Sequence, residues 1–392
     1  MEDVYIVGAA RTPIGKFMGA LSDVPATRLG ATAVRAAVER AGIDPAAVDD
    51  VVIGNVIAAG LGQAPARQAA LGAGIPSHSS AQTINKVCAS GLEAIHTAAG
   101  AIRLGEADVV VAGGMENMSG APLILPGARK GFRFGDVKML DAVMHDGLWC
   151  PFEQHPMGMA AEAIAEKHGV SREEMDEYSL GSHRKAVAAI ESGRFDAEII
   201  PVEAKNGKAT VTVARDENPR ADTTIEALAK LGPAFTGNGL VTAGNAPGLT
   251  DGAAAVVVAS ESAVKEHGLR PLARVVAHAT AGTDPLWLFD APVDAIRKLL
   301  AKTETGLDDY DLIEVNEAFA AQIMANGKVL GWDWDKVNVN GGAIALGHPV
   351  GATGARIVVT LLNALEQRGG KRGLAGLCHG GGGAVAMSFE RV

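Results

Sequence analysis

The sequence has few cysteines and no long apolar run, and each shortage excludes a class of protein. Its 392 residues include three cysteines, a sparse and odd count that argues against a disulfide framework and for a reducing compartment. No apolar run approaches the roughly 20 residues that a membrane-spanning helix needs. The first residues, MEDVYIVGAARTP, lack the basic and apolar segments of a secretory signal. We therefore expect a soluble, cytoplasmic protein with no membrane partner.

Positive charge and aromatic side chains are also scarce. The formal net charge is −10, which argues against a general nucleic-acid surface, so an anionic ligand would need a local basic patch. Aromatic residues make up 4% of the chain, whereas hydrophobic residues reach 48% and glycine occurs 49 times. This composition is typical of an α/β protein with tight turns. The length allows two or more domains and a large core.

Apolar runs alternate with helical patterns along the chain. The alternation predicts strands at three apolar runs, residues 4–8, 51–56 and 107–112. It predicts helices at residues 26–41, capped by Thr27 and ended by Gly42, and at residues 88–104, ended by Gly105. Repeated strand–helix alternation indicates a mostly parallel sheet that is covered on both faces.

The second half of the chain repeats the plan of the first. The string DDVVIGN at residues 49–55 resembles YDLIEVN at residues 310–316. Cys88 lies 33 residues beyond the end of the first string, and His348 lies 32 residues beyond the end of the second. These spacings indicate an internal duplication in which Cys88 and His348 occupy equivalent strand-to-helix turns.

A stretch between the two halves, residues 119–244, breaks the alternation. Four prolines interrupt its first part, at positions 122, 126, 151 and 156. A charged, hairpin-like run covers residues 202–216, and Ser171 with Glu174 predicts a capped helix start. We interpret the stretch as a cap inserted between the duplicated halves.

Cys88 and His348 are the first candidates for catalysis. A thiolate is the nucleophile, and a helix N-terminus or a neighbouring base raises its population. Cys88 would begin the predicted helix, and the imidazole of His348 can take a thiol proton near neutral pH. Pro349 is typical of a first helical turn and would place His348 at another helix start. The structural alternatives are a buried small hydrophobe at Cys88 and a backbone-bonded loop histidine at His348.

Cys378 and Asn316 are further candidates. Cys378 could transfer a proton, and the glycine N–H groups that follow it could bind an oxyanion, although a glycine-rich strand end is the structural alternative. Asn316 could hold a water or donate to an oxyanion, or it could cap the next helix. We leave His379 outside the catalytic set because it would point to the other face of the strand. We also leave out Cys150, which has no base-like neighbour in sequence.

Six segments carry a resemblance to a known family. They are VGAARTPIG at residues 7–15, NKVCASGLEAI at 85–95, AGGMENMS at 112–119, NEAFA at 316–320, GGAIALGHPVGATG at 341–354 and CHGGGG at 378–383. Together they resemble the thiolase family, in particular its biosynthetic acetyl-CoA acetyltransferases, over essentially the whole chain.

The resemblance implies the fold and the assembly. The expected fold is α/β, with a duplicated αβαβα layered core of two similar halves with mixed sheets and an inserted cap. The N-terminal half would comprise residues 1–120 and 245–270, the cap residues 121–244, and the C-terminal half residues 271–392. The resemblance also implies a homotetramer joined through the cap loop at residues 121–138, with a dimer as the alternative.

The resemblance further implies a reversible Claisen condensation of two acetyl-CoA molecules to acetoacetyl-CoA and coenzyme A. His348 would activate Cys88, which becomes acetylated, and Cys378 would take a proton from the methyl group of the second acetyl-CoA. One oxyanion hole would combine His348 with a water held by Asn316, and the other would use the backbone N–H groups of Cys88 and Gly380. No metal is required, and the coenzyme A thioesters are substrate and product rather than resident cofactors.

The resemblance places coenzyme A contacts at six further residues: Leu148, Met157, Arg220, Ala246, Pro247 and Phe319. Three departures from the family pattern bear on this ligand. Pro247 lacks the hydroxyl of the usual serine, Phe289 stands where a small glycine is common, and Pro156 separates a usual His-Met pair. A larger residue at position 289 is expected to narrow or reshape the acyl pocket.

Several alternatives remain at this point. A degradative 3-ketoacyl-CoA thiolase acting on longer acyl chains would use the same chemistry, although the long insert favours the biosynthetic type. A decarboxylating ketoacyl synthase would carry a second histidine in place of Cys378. A non-catalytic acyl-CoA-binding protein belongs to a different class, and it would not need Cys88, His348 and Cys378 together. A zinc site that combines these three residues with His379 lacks a CxxC or HxxxH pair.

Overall fold

The computed structural model describes residues 2–207 and 209–392; for Asn206 it describes the backbone only. The strands are β1 (Val4–Arg11), β2 (Gly15–Lys16), β3 (Asp50–Gly54), β4 (Ser80–Ile84), β5 (Val109–Asn117), β6 (Leu123–Ile124), β7 (Leu140–Asp141), β8 (Trp149–Cys150), β9 (His155–Pro156), β10 (Val202–Asn206), β11 (Ala209–Val213), β12 (Thr250–Ser260), β13 (Ala273–Gly282), β14 (Leu312–Val315), β15 (Arg372–His379) and β16 (Gly383–Arg391).

The α-helices are α1 (Ala26–Ala41), α2 (Pro65–Ala73), α3 (Ser90–Leu104), α4 (Met157–His168), α5 (Arg172–Glu191), α6 (Ile225–Ala229), α7 (Glu261–Glu266), α8 (Ala291–Thr303), α9 (Ala320–Leu330), α10 (Ala343–Leu346) and α11 (Thr353–Arg368). A π-helical turn covers Val143–Leu148, and short 3-10 turns cover Pro45–Ala47, Ala128–Lys130, Pro285–Asp290 and Leu307–Asp309. No helix among the described residues is long and apolar enough to cross a bilayer.

The main sheet shows the duplication directly. Its strands run in the order β14-β15-β16-β13-β1-β12-β5-β3-β4, so each half repeats one pattern outward from the central pair β13 and β1. In this pattern β1, β12, β5 and β3 correspond to β13, β16, β15 and β14, and an isolated bridge between Ile313 and Val337 replaces β4. The expectation of two similar halves is confirmed.

The sheet is mixed, so the expectation of a mostly parallel sheet was wrong. Strand β3 runs parallel to β4 and β5, and β14 runs parallel to β15. In contrast, β12 and β16 run antiparallel to both of their long neighbours. Strands β15 and β16 are joined by a short glycine turn and are therefore antiparallel, because parallel neighbours need a longer crossover connection.

Helices and sheet halves form five layers. Helices α1 and α2 cover one outer face and α8 covers the other, while α3 and α11 pack against each other between the two halves of the sheet. Apolar side chains of both central helices, including Leu92, Ile95, Val358 and Leu361, are buried with residues from both halves. Cys88 and His348 precede α3 and α11, so the duplication brings both residues to the central layer.

Two predicted helix starts differ from the structure. Helix α1 begins after Pro25, which holds an extended conformation at φ −54° and ψ 145°, so Thr27 lies inside the helix instead of capping it. Helix α3 begins at Ser90 rather than at Cys88, because Val87 takes a positive φ of 48° and interrupts the helical path. The predicted ends at Gly42 and Gly105 are confirmed, with left-handed φ values of 68° and 72°.

The inserted stretch contains the predicted local features. Ser171 and Glu174 form a reciprocal capping box at the start of α5. Strands β10 and β11 form the predicted hairpin, and Lys208 lies outside the described residues. The stretch is attached to β1 through a buried ion pair, since Arg11 donates to Glu198 and to both carboxylate oxygens of Asp216.

Candidate active site

Cys88 lies on a strained turn between β4 and α3. Val87, the residue before it, has a φ of 48°, which is an unfavourable conformation for a β-branched side chain. Local hydrogen bonds hold the turn: the N–H of Val87 donates to Asn85 Oδ1 at 2.9 Å, the N–H of Lys86 donates to Ser90 Oγ at 2.8 Å, and Ser90 Oγ donates to the Val87 carbonyl at 2.6 Å. The turn directs Cys88 towards the second half of the chain.

His348 lies in the loop between α10 and α11, and its tautomer follows from its partners. The hydroxyl of Thr353 donates its one hydrogen to the Pro349 carbonyl at 2.9 Å, so His348 Nδ1, 2.6 Å away, donates to that hydroxyl. The lone pair of the ring is therefore on Nε2, the nitrogen that lies nearer to Asn316. Helix α11 begins at Thr353, so Pro349 does not occupy a first helical turn as expected.

Asn316, Cys378 and Gly380 complete the arrangement from the C-terminal half. Asn316 follows β14, and its Nδ2 lies 3.4 Å from His348 Nε2. Its buried Oδ1 has no hydrogen-bond partner among the residues that the structure describes. Cys378 is buried near the end of β15, and the N–H of Gly380 donates a hydrogen bond to the sulfur of Cys88. Four distant segments thus meet at one place.

Burial keeps the reacting groups neutral at rest. It raises the pKa of the Cys88 thiol to about 12, an effect that the hydrogen bond from Gly380 partly opposes. Burial also lowers the pKa of His348 to about 3, helped by the positive charge of Arg356. The pKa of Cys378 is raised well above its ordinary value, again mainly by burial. The resting site therefore contains two thiols and a neutral imidazole, not a thiolate–imidazolium pair.

An apolar cavity of about 270 Å³ connects these groups. The residues predicted from sequence that line it are Cys88, Leu148, Met157, Ala246, Pro247, Phe319, His348, Cys378 and Gly380. Leu288 and Phe289 also line it, and the Phe289 ring meets that of Phe319 edge to face, with centres 5.5 Å apart. An apolar space with a few polar groups at one end suits a small acyl chain next to a reactive carbonyl.

Some predicted residues lie elsewhere. Asn316 is behind His348 and does not line the cavity. Arg220 borders a separate surface depression, and its guanidinium lies 3.2 Å from His183 Nε2. His379 lines the cavity near Gly380, with its Nδ1 2.8 Å from the Gly380 carbonyl.

Sequence reasoning missed two residues that shape the site. Thr353 orients His348, and its only signal was a hydroxyl five residues after the histidine. Phe235 lines the cavity against Gly158, where an added Cβ would lie 2.2 Å from the ring. Phe235 comes from an irregular stretch of the inserted segment, so no pattern in the sequence could have placed it there.

One group of side chains among the described residues could ligate a metal ion. It is not the zinc site considered above, which combined Cys88, His348, Cys378 and His379. Glu93, His96 and His278 bring their ligand atoms within 4.8 Å of one another. However, the imidazole rings stack with centres 3.4 Å apart and planes 5° from parallel, so their in-plane lone pairs cannot converge on one ion. The ammonium of Lys86 also forms an ion pair with the Glu93 carboxylate, with Nζ 2.9 Å from Oε2.

Comparison with known proteins identifies the family. A family model described as "Thiolase, N-terminal domain" matches residues 4–262, and one described as "Thiolase, C-terminal domain" matches residues 269–391. The chain belongs to the thiolase family. It is 53% identical to an acetyl-CoA acetyltransferase of Pseudomonas aeruginosa and 52% identical to one of Cupriavidus necator, with the full length of both chains covered in each case.

This thiolase is also similar in structure to a solved acetyl-CoA acetyltransferase. The crystal structure of the Bacillus anthracis acetyl-CoA acetyltransferase superimposes with a TM-score of 0.98 at 47% sequence identity. The match covers 100% of this chain and 99% of that one. The resemblance found from the six sequence segments is confirmed at the level of family and fold.

Proposed function

We propose that this thiolase condenses two acetyl-CoA molecules reversibly to acetoacetyl-CoA and coenzyme A through an acetyl-Cys88 intermediate. The observation that carries the proposal is the meeting of Cys88, His348 and Cys378 at one apolar cavity of about 270 Å³. The names of the full-length relatives from P. aeruginosa and C. necator support the same substrate.

The first half-reaction acetylates Cys88. His348 Nε2 takes the thiol proton as the sulfur attacks the carbonyl carbon of acetyl-CoA. The N–H groups of Cys88 and Gly380 stabilise the oxyanion that forms. Coenzyme A leaves as its sulfur takes the proton of the Cys378 thiol. This leaves acetyl-Cys88, a protonated His348 and a Cys378 thiolate.

The second half-reaction restores all three groups. The Cys378 thiolate takes a proton from the methyl group of a second acetyl-CoA. The resulting enolate oxygen is held by His348 Nε2–H and by a water on Asn316, whose buried Oδ1 is available to bind it. The enolate carbon attacks acetyl-Cys88, and the departing Cys88 sulfur recovers its proton from His348. Because the proton inventory closes over two thiols and one imidazole, we propose no metal and no resident cofactor.

Two variants test the order of these steps. Cys88→Ser should abolish acetylation of the protein by acetyl-CoA, which intact-protein mass spectrometry detects as the gain of one acetyl group. Cys378→Ala should be acetylated more slowly in a single turnover, because the departing coenzyme A sulfur must take its proton from solvent, and it should form no acetoacetyl-CoA. Acetyl labelling that persists in the Cys88 variant would contradict the nucleophile assignment, and equal loss of both half-reactions in the Cys378 variant would contradict its role as base.

We also propose a preference for short acyl chains over the longer chains of a degradative thiolase. Phe289 is 2% exposed, and with Leu288 it lines the cavity, where its ring fills space that a longer acyl chain would need. Thiolysis rates for 3-ketoacyl-CoA substrates of increasing length test this preference. A rate that rises from the four-carbon to the eight-carbon substrate would favour the degradative alternative.

The remaining expectations concern organisation. We propose an N-terminal half of residues 1–120 and 245–270, a cap of residues 121–244 and a C-terminal half of residues 271–392, in a cytoplasmic homotetramer. The exposed apolar side chains of the cap loop support an assembly role: Leu123, Phe132, Phe134 and Val137. Light scattering would distinguish a tetramer from a dimer. We also propose that Arg220 contacts coenzyme A, because its side chain is exposed to solvent.

A further inference from the structure

The loop that carries His348 is seated in a socket made of glycines. A Cβ added at Gly114 would lie 2.0 Å from the Gly351 carbonyl oxygen, and one added at Gly54 would lie 2.9 Å from it. At Gly91 an added Cβ would approach the same oxygen to 3.2 Å and the Ala355 backbone nitrogen to 2.6 Å. Only residues without side chains allow the loop to come this close to the ends of β3 and β5.

A buried carboxylate, Glu116, anchors the loop in this socket. The side chain is 0% exposed, and four N–H donors converge on it. Oε2 accepts from the N–H groups of Val56 and Gly351, both at 3.0 Å. Oε1 accepts from Asn55 Nδ2 at 2.9 Å and from the N–H of Ile57 at 3.2 Å. Because all four partners donate, the arrangement suits the ionised carboxylate.

Strand register shows that Glu116 holds a special place in the duplication. In the N-terminal half Gly54 on β3 pairs with Gly114 on β5, and in the C-terminal half Val315 on β14 pairs with Gly376 on β15. Two residues further along β5 and β15 stand Glu116 and Cys378. The first half thus places a carboxylate where the second half places a reactive thiol.

We propose that Glu116 is a positioning residue that holds His348 in reach of Cys88 through its hydrogen bond to Gly351. The inference rests on the proposed function, since it assigns His348 the role of base. Glu116 is not among the residues that line the cavity, and its charge reaches Cys88 only at a distance, where it raises the pKa of the thiol. Its hydrogen bonds join two backbone segments. One follows β3 and borders the turn of Cys88, and the other lies three residues after His348.

The test is a double-mutant cycle between Glu116 and His348. Glu116→Gln keeps the shape but removes the charge and replaces one acceptor oxygen by an N–H₂ group that faces N–H donors, which weakens the anchor of the loop. We expect kcat for acetoacetyl-CoA thiolysis to fall on the order of 100-fold, as for an active-site displacement near 1 Å, with KM changed less than about twofold. In a His348→Asn background the same substitution should lower kcat less than about twofold, because the group it positions is already absent.

Asp251→Asn provides the matched control. Asp251 is another 0% exposed carboxylate on the neighbouring strand β12, where it accepts from the N–H and the hydroxyl of Ser119 at 2.9 and 2.6 Å. Its substitution should lower the melting temperature while kcat stays within about threefold of wild type. Assays belong at pH 8 or above, because burial raises the pKa of Glu116 to about 7 and the carboxylate must predominate.

The outcomes separate the two proposals. Provided that the wild type is active, two results overturn the positioning role. One is a folded Glu116→Gln variant with unchanged kcat. The other is a double variant whose loss of kcat equals the product of the losses in Glu116→Gln and His348→Asn. A wild type that forms no acetyl-enzyme overturns the proposed function instead. If the glutamine variant does not fold, Glu116→Asp, which keeps the charge but is one methylene too short to reach Gly351, enters the same cycle.

Discussion

Replacing Phe289 by alanine should change which acyl chains this thiolase accepts. The Phe289 ring is 2% exposed and lines the apolar cavity, while its backbone carbonyl accepts separately from Asn326 Nδ2 at 2.8 Å. The substitution therefore removes a wall and leaves the main chain in place. The space released continues the existing cavity of about 270 Å³.

The size of the effect follows from burial of methylene groups. Each CH₂ that leaves water contributes about 0.8 kcal/mol, or roughly a fourfold gain in kcat/KM. Thiolysis of 3-ketohexanoyl-CoA transfers two more methylenes to Cys88 than does acetoacetyl-CoA. The ratio of kcat/KM for the longer over the shorter substrate should thus rise about 15-fold in Phe289→Ala. The lost packing should also cost about 3–5 kcal/mol of stability.

The assay follows loss of the 3-ketoacyl-CoA enolate absorbance at fixed coenzyme A for both substrates. Phe195→Ala is the control, because Phe195 is equally buried but packs away from the cavity in a separate cluster. It should lose comparable stability without a change in the substrate ratio. An unchanged ratio in a folded Phe289→Ala variant would refute the argument that this ring limits chain length.

Three further predictions test the socket, the resting protonation state and the attachment of the inserted stretch. Gly114→Ala should destabilise the fold by about 3 kcal/mol and lower kcat, because its Cβ would lie 2.0 Å from a backbone oxygen of the His348 loop. Gly181→Ala, inside helix α5 with open space around its Cβ, should instead raise stability by roughly 0.5–1 kcal/mol in urea unfolding. Burial raises the pKa of Cys88 to about 12, so the thiolate fraction, and with it the rate of iodoacetamide alkylation of Cys88, should climb about tenfold per pH unit from pH 7 to 10. A plateau below pH 8 would show an activated thiolate instead. Arg11→Met should cost roughly 3–5 kcal/mol in the same unfolding assay, because it leaves two buried carboxylates unpaired; a cost below 1 kcal/mol would contradict that account.

The local signals in the sequence were reliable where a single residue type decides the backbone. Gly42 and Gly105 end their helices because left-handed φ values favour glycine, and Ser171 with Glu174 caps α5 through side chains three residues apart. The prediction failed at Cys88, where a valine at positive φ delays the helix. Hydrogen bonds from residues on both sides of the turn sustain that conformation, and propensity cannot foresee them.

The chain order already specified much of the chemistry of this protein. Duplicated strings, similar spacings and glycine-rich motifs indicate matching turns for Cys88 and His348, because strand and helix periodicity are local properties. The neutral state of the thiols and the anchoring by Glu116 came from folding alone. Each depends on burial or on contacts between segments more than 200 residues apart, such as Glu116 with Gly351, and no local pattern encodes such distances.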